Sequence, residues 1–191
     1  MRAPADGYTL LVIRANKAIN ATLYKKLNFN LLRDVAPVTG IYRVRQVMEV
    51  HPSFPARTVT EFIAYAKANP GKINFASAGN GSVAHVSAEL FKMMADVNME
   101  HVAYRGAPAA PTDLFGSHVH GMFDNLPSSI EYIKTGSLRA LGVGSPARLD
   151  LLPDVPAVAE TVPGVRDGSL RWASALQGIL LPRSSTSSTG K

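Results

Sequence analysis

From about residue 46 onward the spacing of apolar positions switches repeatedly between strand-like and helix-like. Gln46 to Val50 (QVMEV) reads as a strand closed by His51-Pro52. Thr58-Val59-Thr60-Glu61 has the form of a capping box. Phe62, Ile63, Tyr65 and Ala66 then follow at helical spacing until Asn69-Pro70-Gly71 ends the run. Ile73 to Ser77 predicts a second strand. From Ser82 to Val97, the residues Val83, Val86, Leu90, Met93, Met94 and Val97 form a stripe with a 3.6-residue period, which predicts an amphipathic helix. Met99 to Tyr104 predicts a third strand. Ala109 to Phe115 predicts a short helix in which Pro108 and Pro111 are tolerable only near the first turn. A strand over Val119 to Phe123, a helix over Pro127 to Thr135 closed by Gly136, and a strand over Leu138 to Val143 complete about four βα units, the pattern of a largely parallel sheet. Beyond Pro146 the pattern weakens into Leu152-Pro153-Asp154-Val155-Pro156, with one short helix around Ala157 to Thr161. Residues 183–191, rich in Ser and Thr with nothing apolar, predict a disordered tail.

Composition narrows this picture. The 191 residues are 46% apolar and 18% charged, enough for a hydrophobic core. The absence of cysteine removes disulfides, thiolate metal sites and a cysteine nucleophile. No apolar run approaches a membrane span, and the opening Met-Arg-Ala-Pro-Ala-Asp-Gly lacks the apolar core of a signal peptide. The net charge of +6 is unevenly spread: residues 1–57 carry +6, residues 58–165 carry −3 and residues 166–191 carry +3. With no basic helix interleaved with aromatics, nucleic acid is not an expected partner.

The candidate chemistry lies at three junctions where a strand leads into a helix. Ser77-Ala78-Gly79-Asn80-Gly81-Ser82, with His85 one turn on, is a Gly-rich turn opening a helix. Unpaired N–H groups and the helix dipole favour a carboxylate or phosphate there. A plain helix cap, with Ser82 as N-cap, accounts for the same residues. At Tyr104-Arg105-Gly106, Arg105 can pair bidentately with a carboxylate, or can simply be an exposed cation beside a turn. At Asp124-Asn125, either residue can cap the next helix, and Asp124 can instead accept hydrogen bonds from a ligand. All three would open onto one edge of a parallel sheet, where ligands of open α/β folds bind. Catalytic patterns are weak: there is no Gly-x-Ser-x-Gly elbow and no His-Glu-x-x-His. His118-x-His120 on a strand would point both rings to one face but lacks an evident third ligand, so neither a metal nor another cofactor is expected. The closing Ser-Thr-Gly-Lys lacks the rest of a phosphate loop.

Several segments in order carry a resemblance: Pro4-Ala5-Asp6-Gly7-Tyr8-Thr9-Leu10-Leu11, Ala18-Ile19-Asn20, Asp34-Val35-Ala36-Pro37-Val38-Thr39, Ala68-Asn69-Pro70-Gly71-Lys72, the Ser77 to Ser82 turn, His101 to Gly106, Met122-Phe123-Asp124-Asn125 and Leu152 to Pro156. Over about Pro4 to Gly164 the chain resembles the Bug family, the extracytoplasmic solute receptors of tripartite tricarboxylate transporters. The resemblance implies a periplasmic, two-lobed α/β clamshell that closes on a small carboxylate and delivers it to a membrane permease without catalysis. It places Ser77, Ala78, Gly79, Asn80, Gly81, Ser82, His85, Tyr104, Arg105, Gly106, Asp124 and Asn125 on ligand-facing loops of the second lobe. Asn16 and Ala18 fall on a loop of the first lobe, where Arg14 and Lys17 stand in place of the family's usual small residues.

The resemblance further divides the chain into a partial first lobe (1–44), a second lobe with a mixed, mostly parallel sheet (45–172), a return segment (173–182) and the tail (183–191). Family members carry roughly sixty more mature residues before the matching region and further helices after it. The expectation is therefore a truncated form with weakened binding, whose exposed first-lobe surface would favour self-association. A nucleotide- or phosphate-binding enzyme domain and a non-functional gene remnant are the alternatives.

Overall fold

A computed structural model describes residues 8–27, 30–106, 109–162 and 176–182. Its elements, in chain order, are β1 (Leu11–Ile13), α1 (Ala15–Leu23), α2 (Leu31–Asp34), β2 (Val35–Arg43), β3 (Gln46–Val50), α3 (Val59–Ala68), β4 (Asn74–Ser77), α4 (Val83–Ala95), β5 (Glu100–Ala103), α5 (Ala109–Phe115), β6 (Gly121–Asn125), α6 (Leu126–Lys134), β7 (Arg139–Val143), α7 (Val158–Thr161) and β8 (Leu176–Pro182). The expected tail over 183–191, Pro108, and residues 163–175 of the second-lobe and return segments lie outside the described residues.

The chain divides into two compact units. In the first, β8 runs antiparallel between β1 and β2 in a three-stranded sheet. Leu11, Val12, Val38 and Ile41 of this unit are each between 40% and 56% exposed.

The second unit, from Val44 onward, holds a five-stranded sheet in the order β5-β4-β6-β3-β7. β4 runs parallel to β5 and β6, whereas β3 is antiparallel to both β6 and β7. The succession of βα units is thus interrupted at its centre. β3 leads into α3 and β4, but it lies between β6 and β7 with reversed direction. Hydropathy cannot reveal that reversal, because a strand buried on both faces is apolar in either direction.

Register fixes two faces. Met48, Phe75, Ser77, His101, Phe123 and Asn125 share one face, which α3 and α4 cover. Val47, Glu49, Met122 and Asp124 share the other, against α5 and α6. On the first face four fully buried rings, Phe62, Phe75, Phe91 and Phe123, meet at centroid separations of 5.4 to 6.2 Å. Each contributes about 1.5–3 kcal/mol of burial. They join α3 and α4 to the sheet.

The local signals in the sequence act as expected, with differences. Thr58 caps α3, its hydroxyl accepting from Glu61 N–H at 3.1 Å. The return bond of the capping box goes one residue earlier, from Arg57 N–H to the Glu61 carboxylate at 2.7 Å. Ser82 caps α4 by accepting from His85 N–H at 3.1 Å. The strand expected at Val119 begins instead at Gly121 and runs to Asn125, because β3 pairs with it from Gln46 to Val50. His118 and His120 precede the strand rather than sharing one of its faces: His118 Nδ1 lies 3.5 Å from an Asp113 oxygen, and His120 Nδ1 accepts from Asn74 N–H at 2.9 Å. Among the described residues no group of three or more His, Cys, Asp or Glu is placed to hold a metal ion.

Candidate functional site at the strand ends

β4, β5 and β6 point the same way, so their carboxyl ends share one edge of the sheet. The turn after β4 is the most tightly organised part of that edge. Gly79 adopts φ +121°, and a Cβ there would stand 3.0 Å from the Tyr104 carbonyl oxygen. Only glycine meets both conditions without strain. Tyr104 N–H donates to the Ser77 carbonyl at 2.9 Å, and together these contacts fix the β5 turn against the β4 turn.

The Ser77 side chain, fully buried, organises the same loop. Its hydroxyl accepts from Gly79 N–H at 3.1 Å and lies 2.6 Å from His101 Nε2. The His101 ring stacks on that of His85 at 4.2 Å with an interplanar angle of 23°. His85 Nδ1 accepts from Gly81 N–H at 3.2 Å, so the neutral His85 ring carries its hydrogen on Nε2. Burial first, and the neighbouring His85 second, lower the His101 pKa below the ordinary imidazole value and favour its neutral form.

These bonds leave specific donors unused. Ser82 N–H turns back to the Gly79 carbonyl at 3.1 Å, and His85 N–H is capped by Ser82. The N–H groups of Val83 and Ala84, at the first turn of the thirteen-residue helix α4, find no acceptor among the described residues. Two orphan donors at the positive end of a helix dipole, behind a glycine turn, are an arrangement that favours an anion. Asn80 is exposed at its rim, Ala78 is half-buried, and Gly81 takes φ +74°.

The second junction contributes a cation. Arg105 is exposed, and its guanidinium has neither ion pair nor hydrogen bond among the described residues; Gly106 beside it takes φ +103°. The Tyr104 hydroxyl donates instead to Asp113 of α5 at 2.6 Å, and desolvation together with that bond pushes its pKa up to about 12. Tyr104 therefore presents its backbone to the edge while its hydroxyl is engaged elsewhere.

At the third junction the two expected residues part. Asn125 caps α6 by position, makes no side-chain cap bond, and accepts on Oδ1 from Gln46 Nε2 at 2.5 Å. Its side chain lies on the α4 face of the sheet. Asp124 lies on the opposite face, where its carboxylate accepts from the Ser129 hydroxyl at 3.2 Å. The convergence expected of Asp124 with the Gly-rich turn is corrected by this alternation: adjacent strand residues cannot face the same way. In the other unit, Asn16 and Ala18 stand in the first turn of helix α1 rather than on a loop.

Gln46 and His101 were not evident as site residues from sequence. Gln46 is 2% exposed at the amino end of β3, and its Oε1 is buried without a partner among the described residues. Because β3 is reversed, its start lies at the same sheet edge as the ends of β4 to β6. His101 reaches Ser77 only because β5 pairs with β4 in the register Phe75 to His101. Either would have needed the strand order and register, which hydropathy does not carry.

Comparison with known proteins bears on the family and the fold. Protein BugT of Bordetella pertussis is 34% identical over 161 residues, covering 83% of this chain and 49% of that protein. Among solved structures, an R. palustris protein with adipate superposes with a TM-score of 0.82 at 32% identity, over 97% of this chain and 61% of that one. MatC from Rhodopseudomonas palustris with bound malate gives 0.77 at 26% identity, over 95% and 60%. The chain thus spans about half the length of the relatives it matches by sequence, and it has the α/β fold of periplasmic binding proteins. Residues 1–174 match the profile described as the tripartite tricarboxylate transporter family receptor, and the chain belongs to that family.

Proposed function

We propose that this chain contributes a carboxylate-binding half-site to a solute receptor of the tripartite tricarboxylate transport type. The observation that carries the reading is the pair of unsatisfied N–H groups of Val83 and Ala84 at the start of α4, behind a glycine turn pinned to Tyr104. A ligand carboxylate would accept from these two donors, with Arg105 able to pair with the same or a second carboxylate. Ser77, His101 and His85 would act beneath the turn, holding its N–H groups in place. Ser82 and Asn80 would border the ligand, and Asn125 with Gln46 would supply amide groups at the third junction. Adipate and malate in the two related structures support small dicarboxylates as the ligand class. Passage of the ligand to a membrane permease, and a periplasmic location, extend the family assignment to this chain; no catalytic step is included.

Charge-assisted hydrogen bonds contribute about 1.5–3 kcal/mol each. A single edge offering two or three of them should hold a dicarboxylate at millimolar dissociation constants. The test is amide-resolved NMR of the 191-residue protein titrated with adipate, malate and the uncharged adipamide. Saturating shifts at Gly79 to His85 and Tyr104 to Gly106 with the diacids, and none with the diamide, are expected. Silent amides in this region, or saturable binding of a nucleotide in preference to the diacids, would overturn the proposal.

A further inference from the structure

On the sheet face away from α4, a cavity of about 320 Å³ opens between α5 and α6. That volume is at the small end of ligand pockets. Its buried part is acidic. Glu49 is completely buried, the one charged residue in a strand whose other four positions are Gln, Val, Met and Val. Asp124 lies on the same face of the neighbouring strand, and α6 sends Ser129 between them. The Ser129 oxygen is 3.0 Å from Glu49 Oε1 and 3.2 Å from Asp124 Oδ2, but its one hydrogen satisfies only one carboxyl group at a time. Glu49 Oε2 is buried and has no partner among the described residues.

We propose that this cavity binds a small organic ammonium ion of the primary alkylamine class, at a site separate from the carboxylate half-site proposed at α4. With Glu49 ionised the cluster has acceptors in excess, and no Lys, Arg or His lines the cavity to supply donors. An ammonium group brings three N–H donors, enough for Glu49 Oε2, the Asp124 carboxylate and the free lone pair of Ser129. At the mouth the rings of Phe115 and Tyr132 meet edge to face at 4.8 Å, each partly exposed, and offer apolar walls to an alkyl chain. A bare metal ion fits less well, because two carboxylates and a hydroxyl fall short of the six to eight oxygens a calcium ion takes.

Proton accounting follows from the surroundings. The titratable groups lining the cavity are Glu49, Asp124 and Tyr132. Burial, and then the Asp124 charge, hold the Glu49 carboxyl at a pKa of about 8, so it is mostly protonated at neutral pH. A bound ammonium would expel that proton into solution, with the pair then carrying two negative charges against one positive.

Titration calorimetry of the 191-residue protein with n-butylamine, 1-butanol and butyrate tests the site, since the three share a chain and differ in charge. The amine is expected to bind saturably with one-to-one stoichiometry. At pH 7 its apparent heat should change with the ionisation enthalpy of the buffer, as proton release requires. Glu49→Gln should weaken amine binding about tenfold or more, and Ser128→Trp, at an exposed lining position, should obstruct entry without touching the core. Equal affinity for butanol and butylamine, no saturable heat with the amine, or unchanged amine affinity in Ser128→Trp would overturn the proposal, even if Glu49→Gln failed to fold. Adipate titrated into the same variants should respond as in the parent protein. Loss of the adipate response in the parent would count against the carboxylate half-site and leave the amine site standing.

Discussion

The Ser77 hydroxyl lies 2.6 Å from His101 Nε2 and simultaneously accepts the Gly79 N–H, so one buried oxygen joins strand β5 to the turn that opens α4. Removing it leaves an N–H and an imidazole nitrogen without their partner in a part-buried place. Ser77→Ala is therefore expected to cost about 1–3 kcal/mol of stability, read as a lower urea midpoint. The Gly79 amide should also exchange faster than in the parent. An unchanged exchange rate would mean that the backbone alone holds the turn.

Gly79 and Gly136 provide a paired test of what the turn requires. Both take positive φ, +121° and +75°, but a Cβ at Gly79 would meet the Tyr104 carbonyl at 3.0 Å, whereas at Gly136 nothing lies within 4 Å. Gly136→Ala carries only the left-handed conformation, about 1 kcal/mol. Gly79→Ala adds a backbone clash, and should cost about 2–3 kcal/mol while weakening dicarboxylate binding by displacing the Val83 and Ala84 donors. Thermal unfolding of the two variants side by side measures the difference. Equal losses would show that the turn yields to the added methyl.

The sequence made the elements legible because their signals are local. Thr58 and Ser82 cap the helices they precede, and the Gly71 and Gly136 stops fall where the chain turns with φ of +73° and +75°. What stayed hidden was non-local. The reversal of β3 brings Gln46 beside Asn125, 79 positions away, and the alternation of β6 sends Asp124 to the face opposite the Gly-rich turn. Glu49 shows the limit well: nothing in QVMEV marks its acid for burial, yet the strand is flanked on both sides and the side chain is fully buried. Burial depends on which strands come to lie next to it, and that is settled by packing over the whole unit.

Phe91 tests that packing. It projects from α4 to contact Phe62 at 6.0 Å and Phe123 at 6.0 Å, and it is 1% exposed. Truncation removes the link between two helices and the sheet and leaves a cavity, so Phe91→Ala should lose about 3–5 kcal/mol. Phe115→Ala, whose ring is 36% exposed beside Tyr132, should lose far less. Urea unfolding of both variants checks the order. Similar losses would mean that the four-ring cluster is not the centre of the core.

The Glu49 carboxyl gives the molecule a pH dependence of definite sign. In the unfolded chain it titrates near 4.5, whereas in the fold burial first, and Asp124 second, raise it to about 8. Between those values the folded state holds more protons than the unfolded state, so stability falls as pH rises through the window. Asp124, also raised by burial, acts in the same direction. His101 works oppositely, because its lowered pKa makes stability fall as pH drops below the ordinary imidazole range. A stability maximum on the mildly acidic side is the expected net result. At about 1.4 kcal/mol for each tenfold fall in proton concentration inside the window, the loss between pH 6 and pH 9 should be on the order of a few kcal/mol. Glu49→Gln keeps the shape and removes the charge, so its urea midpoint should stay nearly level over that range and exceed the parent's at pH 9. Parallel curves for parent and variant would show that Glu49 ionises in the fold without cost, and that the cavity beside it is more open to water than its lining implies.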